Sequence, residues 1–138
     1  MKLLNKYQKF CEQKGLSFEN IQSIKSYDDS TLFCPAGMQK FKNEFCGTTV
    51  GTLANNQRCL RTDDLENVGD GTHLASFNML GLFSFREWSV RKGIEFWLEF
   101  LETLGLQVSE AHIHPDKKEW KNFYPAKIKV VEDVGCKW

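Results

Sequence analysis

Apolar positions along the chain fall into two helical stripes separated by stretches of shorter period. Leu3, Leu4, Tyr7, Phe10 and Cys11 recur at helical spacing and Gly15 follows them, which predicts an amphipathic helix with a glycine stop. Ile94, Trp97, Leu98, Leu101 and Leu104 keep the i, i+3, i+4, i+7 rhythm up to Gly105 and predict the strongest helix. Ser84-Phe85-Arg86-Glu87 has the form of a capping box that would open it. Thr31 to Cys34 and Leu53 to Leu60 have strand composition. Pro35 to Gly37 turns the first of these, and the second runs into Arg61. Ser17 to Ser30 reads as a polar connector, Gln39 to Gly51 as a short helix or turn with a Gly- and Thr-rich loop, and Asp63 to Thr72 as a loop. Ala75 to Phe85 is expected to be a strand broken near Gly81, while Val108 to Ile113 and Lys127 to Glu132 predict two more. Helix, strands, long helix, strands is an α+β order, in which hairpin pairing is expected over repeated βαβ crossovers.

At 138 residues the sequence has the size of one domain, 1–138, able to bury a core without staples. The 13% aromatic share, with eleven Phe, leaves room for a thick core or a pocket for a flat ligand. Formal charge is zero and no basic tail points to nucleic acid. Five cysteines without a CxxC pair give neither a disulfide framework nor a standard zinc knuckle, so free thiols in a reducing, cytoplasmic setting are expected. No apolar run reaches membrane-spanning length.

Chemistry concentrates where RCLRTDDLENVG, from Arg58 to Gly69, precedes the apolar FNMLGLFSF, from Phe77 to Phe85. An arginine ending a strand suits an anionic phosphate, because its planar fork binds two oxygens at once. Aromatic and Met side chains on the facing strand suit a base, and the competing reading is a solvated Arg–Asp cluster. His112 and His114 would need a further thiolate or carboxylate to hold zinc, and exposure at a strand edge before Pro115 is the simpler expectation; no metal site is assigned. His73 reads as a polar turn residue that could also meet a ligand, and Cys59 as a buried strand cysteine. No Ser-His-Asp order, Walker loop or GxGxxG is present.

From about Leu3 to Phe100 the sequence resembles the catalytic domain of alanyl-tRNA synthetase, a class II aminoacyl-tRNA synthetase. The helix ending in EQKG resembles the first helix of that family, and DDSTLFCPAGMQKFKNEFCG its first motif. NNQRCLRTDDLENVG and SFNMLGLFSF are similar to the two strands of motif 2, and RKGIEFWLEFL to the helix that follows. The resemblance implies a partial class II core, an antiparallel sheet flanked by helices. It also implies ATP-dependent activation of alanine or a similar small amino acid, with Mg2+, and tRNA as an acceptor. Within it Arg61 would be the α-phosphate arginine and the catalytic residue. Phe77 and Met79 would lie against adenine and ribose, Asp64 matches the acidic residue of DLENVG, and His73 one of two histidines near the nucleotide.

The second histidine falls on Leu74 and the glutamate before the Met-Leu pair on Asn78. Pro35 replaces an asparagine, and only Thr62 and Asp63 remain of a loop that usually includes AGGKHN. With the sequence closing at Trp138, motif 3 and the arginine that grips the γ-phosphate fall outside it. A truncated or stand-alone paralogue is therefore expected, completed by self-association or a complementing chain. The alternatives are a non-catalytic paralogue that binds nucleotide, tRNA or a protein, and an activating enzyme with a carrier protein or small amine as acceptor.

Overall fold

The computed structural model describes residues 2–63 and 65–136. The chain divides into two compact units, Met1–Glu87 and Trp88–Trp138.

In the first unit, helix α1 (Lys2–Gln13) buries Tyr7, Phe10 and Cys11, the stripe expected from their spacing. Its end is a Schellman motif: Leu16 N–H reaches Cys11 O and Gly15 N–H reaches Glu12 O, both at 3.0 Å. Gly15 sits at φ 73, a conformation that costs glycine nothing. Strand β1 (Ser17–Ile21) runs parallel to β2 (Gly51–Leu60), which pairs antiparallel with β3 (Ser76–Phe85) in the order β1-β2-β3. The tyrosine of α1 ties that helix to the sheet, with its hydroxyl donating to Gly81 O at 2.9 Å and its ring edge-on to Phe18.

The central strand β2 buries Ala54, Asn55, Asn56, Gln57 and Cys59. Buried amides are costly unless paired. Asn55 donates to Gly37 O, Asn56 to Asn20 Oδ1, and Gln57 to the carbonyls of Ser23 and Arg58. Between α1 and β2 lie a 3₁₀ turn (Gln39–Phe41) and helix α2 (Lys42–Cys46). Phe41 and Phe45 meet Phe83 and Phe85 of β3 at centroid distances of 5.0 to 6.3 Å, so this segment covers the sheet with an aromatic cluster.

The structure revises three expectations in this unit. The polar connector from Ser17 contains β1, whose register is set by its parallel partner rather than by alternation. Thr31 to Cys34 is no strand: among the described residues it forms one isolated bridge, Lys25 to Phe33, with single backbone bonds from Cys34 to Ile24 and Leu60, and Pro35 follows without an N–H to continue pairing. Gly81 does not break β3 but pairs with Asn55, because its missing Cβ admits neighbours. A Cβ there would stand 2.6 Å from Phe83 Cε2 and 2.7 Å from Asn55 Oδ1. Gly81→Ala is accordingly expected to destabilise this unit by about 1–3 kcal/mol in urea unfolding, the usual cost of overpacking.

The second unit opens with α3 (Val90–Thr103), capped by Ser89, whose hydroxyl accepts from Lys92 N–H. The expected capping box at Ser84 does not form, since Ser84 lies in β3 against Thr52 and Glu87 takes the Thr52 hydroxyl. Arg86, at φ 54, turns the chain out of β3 and donates to the carbonyls of Glu44, Phe45 and Thr49. Helix α3 ends as α1 does, with Gly105 at φ 75 and Leu106 N–H on Leu101 O. Strands β4 (Glu110–Ile113) and β5 (Lys129–Glu132) are parallel, joined through a 3₁₀ segment (Pro115–Phe123). Only β2–β3 among the described pairs is therefore the antiparallel hairpin that was expected.

The two histidines near this connection have different roles. His112 in β4 is clamped, Nε2 to Glu110 at 2.9 Å and Nδ1 to Asp133 at 3.0 Å, while Glu110 also takes Lys129. His114 lies past the strand and its Nδ1 accepts Asp116 N–H. The Asp133 and Glu110 carboxylates, in that order, raise the His112 imidazole above its usual pKa of 6.5. A group raised on folding stabilises below its unfolded pKa and loses that contribution as pH rises through the folded one. The wild-type advantage over His112→Gln in thermal midpoint should thus be greatest near about pH 6 and shrink steadily above it.

Candidate functional site

The candidate residues gather at the loop end of the β2–β3 hairpin. Strand β2 ends at Leu60, whose N–H bonds Cys34 O, and Arg61 N–H then bonds Ala75 O at 2.8 Å. The first bond ties the end of β2 to Cys34, and the second holds the first residue past the strand against the chain entering β3. Arg61 is exposed, its Nε donates to Pro35 O at 3.0 Å and its guanidinium lies 5.1 Å above the Phe77 ring. The side chain is thus fixed at its inner nitrogen and along one face. No described carboxylate pairs with its two terminal nitrogens, which remain free to meet two oxygens of an anion.

Arg61, Thr72, His73, Leu74, Ala75 and Phe77 line one cleft of about 300 Å³, with no carboxylate among them. His73 enters it from the loop. Asp70 Oδ1 accepts the N–H of Thr72 at 2.7 Å and of His73 at 2.8 Å, and its Oδ2 faces His73 Nδ1 at 2.6 Å. The His73 backbone N–H, then its ring, then Thr72 hold the Asp70 carboxyl below its usual pKa.

Three of the sequence-nominated residues, Arg61, His73 and Phe77, therefore share the cleft. Met79 lies two residues deeper on the Phe77 side of β3, where its sulfur accepts Gly37 N–H at 3.3 Å, and it does not line the cleft. Asp64 lies outside the described residues. Arg58 is held across the hairpin by Ser76 Oγ at 2.9 Å. Cys59 is fully buried, and burial, with Cys34 beside it, pushes its thiol up to about 11, which leaves it a core thiol and no nucleophile. Sequence reasoning missed the Pro35 carbonyl and Asp70. The only available signal for the latter was an Asp three residues before a His in a Gly-containing turn.

A larger hollow of about 800 Å³ in the second unit holds none of the nominated residues. Its wall sets Glu95, Glu99 and Glu102 against Arg91 and Lys127, a poor lining for phosphate.

The fold is a partly antiparallel α+β core with an arginine just past its central strand, and comparison with known families says which class of protein it belongs to. The family described as tRNA synthetases class II (A) matches residues 2–135, and the chain belongs to that family. Among curated proteins it is similar to the alanine–tRNA ligase of Petrotoga mobilis, 37% identical over 131 residues, which cover 90% of this chain and 15% of that protein. The alanine–tRNA ligase of Buchnera aphidicola is 40% identical over 109 residues, covering 72% and 12%. That of Thermotoga petrophila is 38% identical over 121 residues, covering 84% and 13%. The chain thus spans well under a fifth of the length of these relatives. No described helix is long and apolar enough to cross a membrane.

Proposed function

We propose that this chain binds ATP in the Arg61 cleft and takes part in activating alanine or a similar small amino acid in the cytoplasm. The observation that carries the reading is Arg61: an exposed guanidinium, oriented by Pro35 O and Phe77, whose terminal nitrogens meet no carboxylate among the described residues and lie beside a cleft in which none of the described lining residues is acidic. The fit is to an anion with an apolar flank. In the reaction, a carboxylate oxygen of the amino acid attacks the α-phosphorus, the new O–P bond forms and pyrophosphate departs with the electrons of the broken one. Such a displacement needs alignment and charge stabilisation more than a protein nucleophile. Arg61 would hold two α-phosphate oxygens and offset the charge that grows on them. Phe77 would keep the guanidinium in place and present apolar surface to the nucleoside, and Met79 would support it from behind.

Among the described residues no carboxylate lines the cleft to take Mg2+. It would arrive on the phosphates themselves. Transfer to tRNA, and completion of the site by a second copy or another chain, belong to the same proposal.

ATP–pyrophosphate exchange with each proteinogenic amino acid tests the reading, alongside calorimetric titration with ATP. Exchange with alanine supports it. ATP binding without exchange supports the non-catalytic alternative, which the shortened loop of Thr62 and Asp63 favours. Absence of both overturns the reading.

A further inference from the structure

The order β1-β2-β3 gives the first unit's sheet two outer strands, and they differ. β1 is five residues long and carries Glu19, which holds Lys40. β3 is ten residues long, SFNMLGLFSF, with no charge and no proline. Outer strands are normally shortened, charged or covered, because a bare edge offers its backbone to any strand that reaches it.

The direction of the unused groups follows from the ladder. Arg61 N–H bonds Ala75 O, which makes that pair one whose backbone groups face each other. By alternation along the register, Phe77, Met79, Gly81 and Phe83 point theirs at β2, while Asn78, Leu80 and Leu82 point theirs outward. Among the described residues nothing bonds the outward N–H or C=O of those three. Their side chains share one face, where Asn78 is exposed and both leucines are half-buried.

The residue order along β3 is close to its own mirror image. Ser76-Phe77-Asn78-Met79-Leu80-Gly81-Leu82-Phe83-Ser84 reads nearly alike in both directions about Leu80, setting Ser on Ser and Phe on Phe. Asn78 against Leu82 and Met79 against Gly81 are the departures, and the latter sets a long side chain opposite none. We propose that β3 pairs antiparallel with β3 of a second copy around a two-fold axis at Leu80, joining two three-stranded sheets edge to edge. The outward groups then meet in register: Leu80 faces Leu80, and Asn78 faces Leu82 on either side of the axis. Leu80 and Leu82 of both copies gather on one face. On the other, Phe83 of the second copy stands opposite Phe77, whose ring carries the Arg61 guanidinium. Each copy thereby extends the apolar flank of the other's cleft. The inference rests on the reading that a second copy completes the site, and it names the edge through which that copy binds.

Sedimentation of the full chain from about 1 μM to about 100 μM should show a monomer–dimer equilibrium. Register is read by mild oxidation in a background of Cys46→Ser and Cys136→Ser, which removes the two cysteines that are not buried. Across the axis the Cα atoms of position 80 would lie about 5.5 Å apart, within disulfide range, so Leu80→Cys should give a covalent dimer. Position 78 would lie roughly 14 Å from its symmetry mate, so Asn78→Cys alone should give none. Mixed with Leu82→Cys, it should. Asn78→Lys alters an exposed side chain and leaves the core intact, and its charge on the edge should weaken association at least about tenfold.

A monomer at every concentration overturns the proposal. So does a dimer that neither Leu80→Cys nor the mixed pair links, equal linking by Asn78→Cys alone, or association unaltered by Asn78→Lys. ATP titration of the same samples separates the two readings. A monomer that binds ATP removes the paired edge and leaves the Arg61 reading in place. A dimer linked through Leu80→Cys that binds no ATP upholds the edge and removes the nucleotide.

Discussion

Arg61→Ala is expected to lower the kcat/KM of ATP–pyrophosphate exchange at least about a hundredfold, a loss of about 3 kcal/mol in transition-state stabilisation. The expectation follows from where the side chain is held. Its Nε is bound to Pro35 O and its plane rests on Phe77, so the two terminal nitrogens are delivered as a preset fork. Alanine removes the fork but little of the fold. The residue is exposed, and its one hydrogen bond and ring contact contribute about 1–2 kcal/mol to stability between them. A near-native urea midpoint should therefore accompany the loss of exchange. Arg61→Lys separates charge from shape: lysine keeps the charge but loses the Pro35 bond and the two-point grip, so activity should stay well below wild type. Exchange by Arg61→Ala within about threefold of wild type would place the α-phosphate elsewhere.

The second large effect is structural. Tyr7→Ala is expected to cost about 3–5 kcal/mol, a large share of the stability of an ordinary domain. Tyr7 is fully buried, edges against Phe18 and bonds Gly81 O from a helix 74 positions away in sequence. Deleting the ring leaves a cavity between helix and sheet. Tyr7→Phe isolates the hydroxyl; Gly81 O keeps its ladder partner Asn55, so the loss of this one hydrogen bond should cost about 0.5–1.5 kcal/mol by itself. Equilibrium denaturation of the two variants measures both quantities. A loss under about 1 kcal/mol for alanine would mean that the helix is not anchored through this residue.

The long-period features were legible in the sequence. Helices α1 and α3, and the glycines that stop them, follow from apolar spacing and from left-handed geometry that local chemistry dictates. Strands β2 and β3 were legible for the same local reason. What was not legible depends on partners. Ser17-Phe18-Glu19-Asn20-Ile21 is a strand because β2 lies alongside it, and Ser84 is not a helix cap because Thr52 holds it in the sheet. The site divides in the same way. Arg61, His73 and Phe77 carry their chemistry in their side chains and stand at recognisable offsets. The Pro35 carbonyl is a backbone atom that any residue type supplies, and Asp70 acquires its role only when the loop folds back on His73.

Arg86 carries a consequence for how this chain can change over generations. Its backbone occupies a region that glycine enters freely and that side-chain-bearing residues enter at a cost of about 1 kcal/mol or more. Its guanidinium meanwhile tethers the carbonyls of Glu44 and Phe45 in α2 and of Thr49 in the loop after it. Two unrelated optima therefore coexist at one codon, glycine for the turn and arginine for the tether. Residues of intermediate size satisfy neither, so most substitutions at this position should cost the turn, the tether or both.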